Sequence, residues 1–306
     1  MEHMVRRYGM GLTVLVVGLT AFWLLVLVIL PNVTMFESSF RPYLPAVEVG
    51  GPNDTYTVKN YLSIFGTPFD VTFLGYNFSV PLRIKIFAGT IGYSVLVTVI
   101  TFVLGYPVAY YLAKIVSPRS LPTLFLLLFV PLWVSEILRA FAWWIILTLT
   151  GPLNALLLAL NILDKPVRML GYNSVIVGLV YTYVLFMVFP LYNAIQSLDS
   201  NQIEAAEDLG SPWWRTHWRV ILPHAKPGIA SGSVMVFMLC AGTILVPTIL
   251  GGTTVQWFTQ TIQSWMLEAL DWNSGAAYAF VLLILCTVFV FGAMRVFKVK
   301  LSDIAK

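Results

Sequence analysis

The residues best placed to do chemistry are the ionisable ones stranded in apolar sequence. Glu136 and Arg139 lie three apart within Leu121–Thr150, a stretch otherwise free of charge. That spacing puts them on one helical face. Ionisable groups at membrane depth pair with one another or line a polar path. In the first case the two form a salt bridge that helps both insert. In the second they line a route through the membrane, and Glu136 favours a cationic solute. Trp143, Trp144, Tyr181, Tyr183 and Tyr192 offer ring faces to a cation, or serve as packing. This is the chemistry of recognition rather than of bond making. The chain has no G-x-x-x-x-G-K-[S/T] phosphate loop. Its histidines, His3, His217 and His224, have no partner cluster, and Cys240 and Cys286 sit in apolar runs, where a free cysteine packs as a small apolar residue. We expect no catalytic residue, metal site or cofactor within the chain.

The elements that hold these residues are membrane helices. Apolar residues make up 58% of the chain, charged residues 10%, and mean hydropathy is +0.83. A soluble domain carries about 25% charged residues; lipid must be the solvent here. A helix needs about 20 apolar residues to cross a bilayer, and six segments qualify: Leu12–Leu30, Phe87–Ala113, Leu121–Thr150, Ser174–Ile195, Ile229–Leu250 and Ala276–Phe297. The third is long, with room for a bend near Pro131. None shows the alternation of a β-barrel strand. The expectation is an all-α membrane protein of six transmembrane helices.

Arg6 and Arg7 precede the first segment as they would a signal peptide. The segment exceeds a usual signal core, however, and no small-x-small cleavage site follows. It is read as a retained helix with the N-terminus inside. Inner parts then carry Arg6, Arg7, Lys114, Arg119, Arg215, Arg219, Lys226, Arg295, Lys298, Lys300 and Lys306. Outer parts carry Arg41, Lys59, Arg83, Lys85, Lys165 and Arg168. Eleven against six obeys the positive-inside rule and puts the C-terminus inside too. Topology thus accounts for the basic balance, and nucleic acid is not needed as a partner.

The domain reading is a transmembrane helix over 1–30, a periplasmic loop over 31–86, and a core over 87–306 with a cytoplasmic loop at 198–227. Three N-x-S/T triplets begin at Asn32, Asn53 and Asn77, a pattern frequent by chance. A short helix is expected around Leu153–Leu163. The segment 251–275 carries Trp257, Trp265, Glu268, Asp271 and Trp272. Its tryptophans are boundary anchors or a docking place for an external partner.

The cytoplasmic loop has more internal order than a connector needs. Asp199 can cap a helix, with Gln202 at capping-box spacing, running from about Ser200 to Leu209. Gly210 can end it in the left-handed conformation. Ser211 can cap a second helix with Pro212 at its first position, and Pro223 and Pro227 close the unit. The alternative is an ordinary amphipathic loop at the inner surface. Glu204-Ala205-Ala206, Gly210, Val220 and Leu222-Pro223 stand at the spacings of a known signature. In this the chain resembles the permease subunits of binding-protein-dependent ABC importers, Val220 replacing the commoner Ile.

The resemblance runs from about Tyr61 to the C-terminus and is greatest with the spermidine/putrescine permease group. It is carried further by GYPVAYYLAK (105–114), VPLWVSEILRAFAWW (130–144), GPLN (151–154), VYTYVLFMVFPLYNAIQSLD (180–199), VPTILGG (246–252) and GAAYAFVLLIL (275–285). It implies the type I importer permease fold and a place in a bacterial inner membrane. Glu204, Ala205, Ala206 and Gly210 would be the positions that couple to an ATPase. ATP and Mg would be bound by a pair of ATP-binding subunits, with a second permease and a periplasmic solute-binding protein completing the assembly. Polyamine permeases often carry a carboxylate in span five, where this chain has Thr243 beside Gly242. Related permeases serve iron, thiamine or organophosphonate. A substrate path is expected at Glu136, Arg139, Trp143, Tyr183 and Thr243. The rivals are an ion-driven secondary transporter, which would show paired broken helices or inverted repeats, and a membrane scaffold.

Overall fold

The structure, a computed structural model, describes residues 9–45, 48, 50–66, 68–73 and 76–298. His3 and the basic residues Arg6, Arg7, Lys300 and Lys306 lie outside them. Five helices are long and apolar enough to cross a membrane, six if one bent pair counts as a span. The helices are α1 (Met10–Ser39), α2 (Leu82–Ile115), α3 (Leu121–Trp133), α4 (Glu136–Leu147), α5 (Pro152–Ala159), α6 (Tyr172–Gln196), α7 (Ser200–Asp208), α8 (Trp213–His224), α9 (Lys226–Gly242), α10 (Leu245–Leu250), α11 (Phe258–Gln263) and α12 (Trp272–Phe297). A hairpin of β1 (Pro68–Phe73) and β2 (Tyr76–Pro81) adds two strands that the sequence reading did not foresee.

Two compact units emerge, Met1–Pro68 with Ile262–Leu282, and Phe69–Thr261 with Leu283–Lys306. In the first, α1 runs nine residues past the expected end at Leu30. Proline inside a helix clashes with the carbonyl four residues back. A wider π-turn at Leu25–Ile29 sits where Pro31 would clash, and such a turn relieves the conflict. The helix therefore continues. Beyond it, Asn60 Nδ2 donates to the carbonyls of Ser39 at 2.9 Å and Arg41 at 2.8 Å, and Arg41 pairs with Glu37 and Asp54. Asn273 Nδ2 donates to the Pro42 carbonyl at 2.8 Å.

The second unit is built around α6. Its buried face runs from Ser174 to Ile195 and packs against α2 and α9. The facing side of α2 is small and polar: Thr90, Ser94, Thr98 and Thr101 are buried, each hydroxyl bonded back to a carbonyl three or four residues earlier. Such residues need no partner on another helix and let backbones approach. On α9, Gly228 does the same. A Cβ there would stand 2.4 Å from the Pro190 carbonyl oxygen.

The third and fifth expected spans are not continuous. Leu121–Thr150 divides into α3 and α4 at the extended residues Val134 and Ser135, three positions after Pro131. Ile229–Leu250 divides into α9 and α10 at Thr243 and Ile244. The α8–α9 pair bends by 72°. With Arg215, His217, Arg219 and His224 in twelve residues, α8 belongs to the loop, and α9 is the membrane half.

Candidate functional site

The two breaks meet. α10 packs against both α4 and α6, so the start of α4 and the end of α9 open toward the same stretch of α6. Glu136 is the first residue of α4. Its carboxylate accepts a hydrogen bond from the Tyr183 hydroxyl of α6 at 3.1 Å. The Thr243 side chain lies near the same hydroxyl. Three of the five expected path residues thus converge: Glu136, Tyr183 and Thr243.

The other two stand apart. The expected Glu136–Arg139 salt bridge is not formed. Glu136 opens α4, and its carboxylate is taken by Tyr183 beyond the helix end. Arg139 lies a turn further along, and its buried Nε has no hydrogen-bond partner among the described residues. Trp143, about 10 Å along α4 at 1.5 Å per residue, stacks edge-on against Tyr181.

A broken helix in lipid must have its loose backbone groups satisfied by protein. Here a segment read for its anchors supplies them. Trp257, expected at the membrane boundary, is 0% exposed and donates its indole N–H to the Cys240 carbonyl at 3.0 Å. The Thr259 hydroxyl donates to the Thr243 carbonyl at 2.6 Å. The Phe258 amide donates to the Thr90 hydroxyl of α2 at 2.9 Å. At the far end of α10, the Leu250 carbonyl accepts from the Gly171 amide at 3.2 Å and the Ser174 hydroxyl at 2.8 Å. Sequence reasoning missed Trp257, Thr259, Ser174 and Thr90. Their partners are distant in the chain, and nothing in the local sequence marks them.

The second candidate surface is the elbow formed by α7 and α8. Asp199 caps α7 as expected, accepting from the Asn201 amide at 3.0 Å. Gly210 is left-handed at φ +75°. Its amide bonds to the Glu207 carbonyl at 2.8 Å, and that of Ser211 to Ala206 at 3.0 Å. Gly210 tolerates this backbone because it lacks a Cβ. One detail shifts: Pro212, not Ser211, is the capping position, and α8 begins at Trp213. Pro223 lies within the last turn of α8 rather than closing it.

Glu204, Ala205 and Gly210 are exposed and Ala206 partly so. Leu209 at the tip is 89% exposed. On the opposite side Thr216, His217 and Ile221 are buried, and Ile203 and Val220 pack against the core. The elbow is therefore seated on the bundle by one face and free on the other.

A model of the family described as binding-protein-dependent transport system inner membrane component matches residues 102–301. The spermidine/putrescine transport system permease protein PotB of Haemophilus influenzae is 32% identical over 90% of this chain and 91% of its own. That of Escherichia coli K12 is 33% identical over 86% and 89%. A chain in the crystal structure of a bacterial alginate ABC transporter in complex with an alginate-pentasaccharide-bound periplasmic protein superposes with a TM-score of 0.72 at 18% identity. The match covers 97% of this chain and 98% of that one and bears on the fold. Paired broken helices were to have marked the ion-driven rival, but this chain has them within an importer fold. The chain belongs to the binding-protein-dependent family, as a multi-pass inner-membrane permease subunit of an ABC importer that moves solute and does no catalysis itself.

Proposed function

We propose that the chain carries a small cationic solute of the polyamine class through the double break between α3–α4 and α9–α10. The observation that carries this is the meeting of Glu136, Tyr183 and Thr243 at that break. A carboxylate and the carbonyls of an interrupted helix are what a desolvated ammonium group needs. Span five lacks an acid at Thr243, and Glu136 of span three supplies one a tyrosine away. The identity to permeases named for spermidine and putrescine supports the same class. Iron, thiamine and organophosphonate remain the alternatives within the importer class.

In this reading both termini and the elbow face the cytoplasm. Two ATP-binding subunits hold ATP and Mg and grip Glu204, Ala205, Ala206 and Gly210. A second permease completes the pathway, and a periplasmic binding protein delivers solute. Closure of the ATPase pair moves the elbow, and the bundle switches between outward- and inward-open states.

The test is ATP hydrolysis and uptake by the purified complex in lipid with its binding protein. Spermidine and putrescine are compared with neutral and anionic solutes. Stimulation by the polyamines, reduced at least ten-fold for uptake in Glu136→Gln with the amount of complex unchanged, supports the proposal. Stimulation by an anion alone, or full uptake by Glu136→Gln, refutes it.

A further inference from the structure

His217 lies on the buried side of the elbow and is 6% exposed. Its Nδ1 is 2.6 Å from the Tyr106 hydroxyl of α2. Tyr106, Tyr110 and Trp213 wall its ring at centroid distances of 5.8, 4.6 and 4.5 Å. Tyr106 and Tyr110, four apart, share one face of α2. Burial holds the imidazole below its ordinary pKa and so favours the neutral ring. Nδ1 then accepts from the phenol, and Nε2–H is left buried without a partner among the described residues. A phenylalanine would fill the same aromatic pocket and remove the unpaired Nε2–H, at the cost of the acceptor that the Tyr106 hydroxyl uses. What histidine adds is the bond to Tyr106.

The place it reaches is the weakest part of α2. Pro107, next to Tyr106, removes a backbone donor from the helix interior. A π-turn at Tyr111–Ile115 follows. Interruptions of this kind are where helices bend.

We propose that His217 is a positioning residue for the transport cycle: it latches α8 to Tyr106, so that movement of the elbow is delivered to α2 at its hinge. This rests on the reading of the elbow as the ATPase contact. It adds that α2 receives the movement through one hydrogen bond.

The test uses the complete complex in lipid, with Cys240 and Cys286 replaced by alanine and spin labels on new cysteines. Labels at Leu96 and Ile115, both exposed, span the hinge. Labels at Leu96 and Asn201 follow the elbow. In the otherwise unaltered complex, trapping with ATP and vanadate changes both distances. In His217→Phe and in Tyr106→Phe the elbow distance still changes, the hinge distance does not, and uptake per ATP falls about five-fold, the worth of one hydrogen bond near 1 kcal/mol. The double variant is no worse than either single one, as for two residues acting through one contact. Hinge movement unchanged in both single variants, or penalties that multiply in the double, overturns the latch. Should His217→Phe fail to accumulate, Tyr106→Phe, which keeps its ring, decides alone. No response to nucleotide in the unaltered complex overturns the ATPase reading and the latch with it.

Discussion

The elbow and the double break between α3–α4 and α9–α10 both interrupt helices, and they are held in opposite ways. In the elbow each turn is fixed by near neighbours: Asp199 by the Asn201 amide, Gly210 and Ser211 by Glu207 and Ala206, Arg215 and Thr216 by Pro212. At the double break the fixings come from afar, with Tyr183 on Glu136, Trp257 on Cys240, Thr259 on Thr243 and Phe258 on Thr90. Water satisfies loose backbone groups outside the membrane and lipid does not. A turn outside the membrane can therefore be stiffened locally, whereas a polar interruption inside lipid holds only once the surrounding helices are assembled.

Substitutions at the two places should separate them. Trp257→Ala leaves a cavity and an unsatisfied carbonyl, and should cost about 3–5 kcal/mol. Thermal unfolding of the purified complex, and the amount in the membrane, read the loss. Trp257→Phe keeps most of the volume but not the donor, and should cost about 1–3 kcal/mol. In the elbow, Gly210→Val forces a branched side chain into the left-handed region, at about 1–2 kcal/mol. It should leave the permease in the membrane while uptake per ATP falls; Gly210→Asn should be milder. Asp199→Ala should cost about 1 kcal/mol through the lost cap. If it destabilises the complex as much as Trp257→Ala, the contrast between local and distant support is wrong.

The smallest effect is with pH. His217 in the folded elbow, facing Tyr106 and Tyr110 of α2, binds a proton less readily than in the unfolded chain. Its stabilisation is full above the unfolded value near pH 6.5 and is lost as pH falls through the lower folded one. The melting temperature of the unaltered complex should drop as pH falls below about 6.5 more steeply than that of His217→Phe.

The sequence was a good guide wherever the determining chemistry was local. Apolar length located the spans, Gly210 located the turn between α7 and α8, and Asp199 located a cap. It misled where a local signal had a distant answer. The first apolar segment was expected to end at Leu30, but a π-turn lets α1 continue past Pro31. Glu136 and Arg139 read by spacing either as a mutual pair or as the lining of a path, and the glutamate is held not by Arg139 but by Tyr183, from another helix. Trp257 read as an anchor by its type, but it is buried as a cap. The breaks in α3–α4 and α9–α10 were legible only as a bend near Pro131. Val134, Ser135, Thr243 and Ile244 carry no glycine or proline to announce an interruption.

The bond between Glu136 and Tyr183 also sets a clock. Its two residues are 47 positions apart, and a ribosome adds about 5–20 residues per second. For roughly 2–9 s after Glu136 has been added, its carboxylate has no tyrosine to meet. During that interval the half-helix is poorly suited to lipid by itself. The bond can form only once α6 has been made, while α1, apolar throughout its membrane stretch, has no such wait. The residues that join α4 to α6 in the finished protein therefore also set an order in which it can be built.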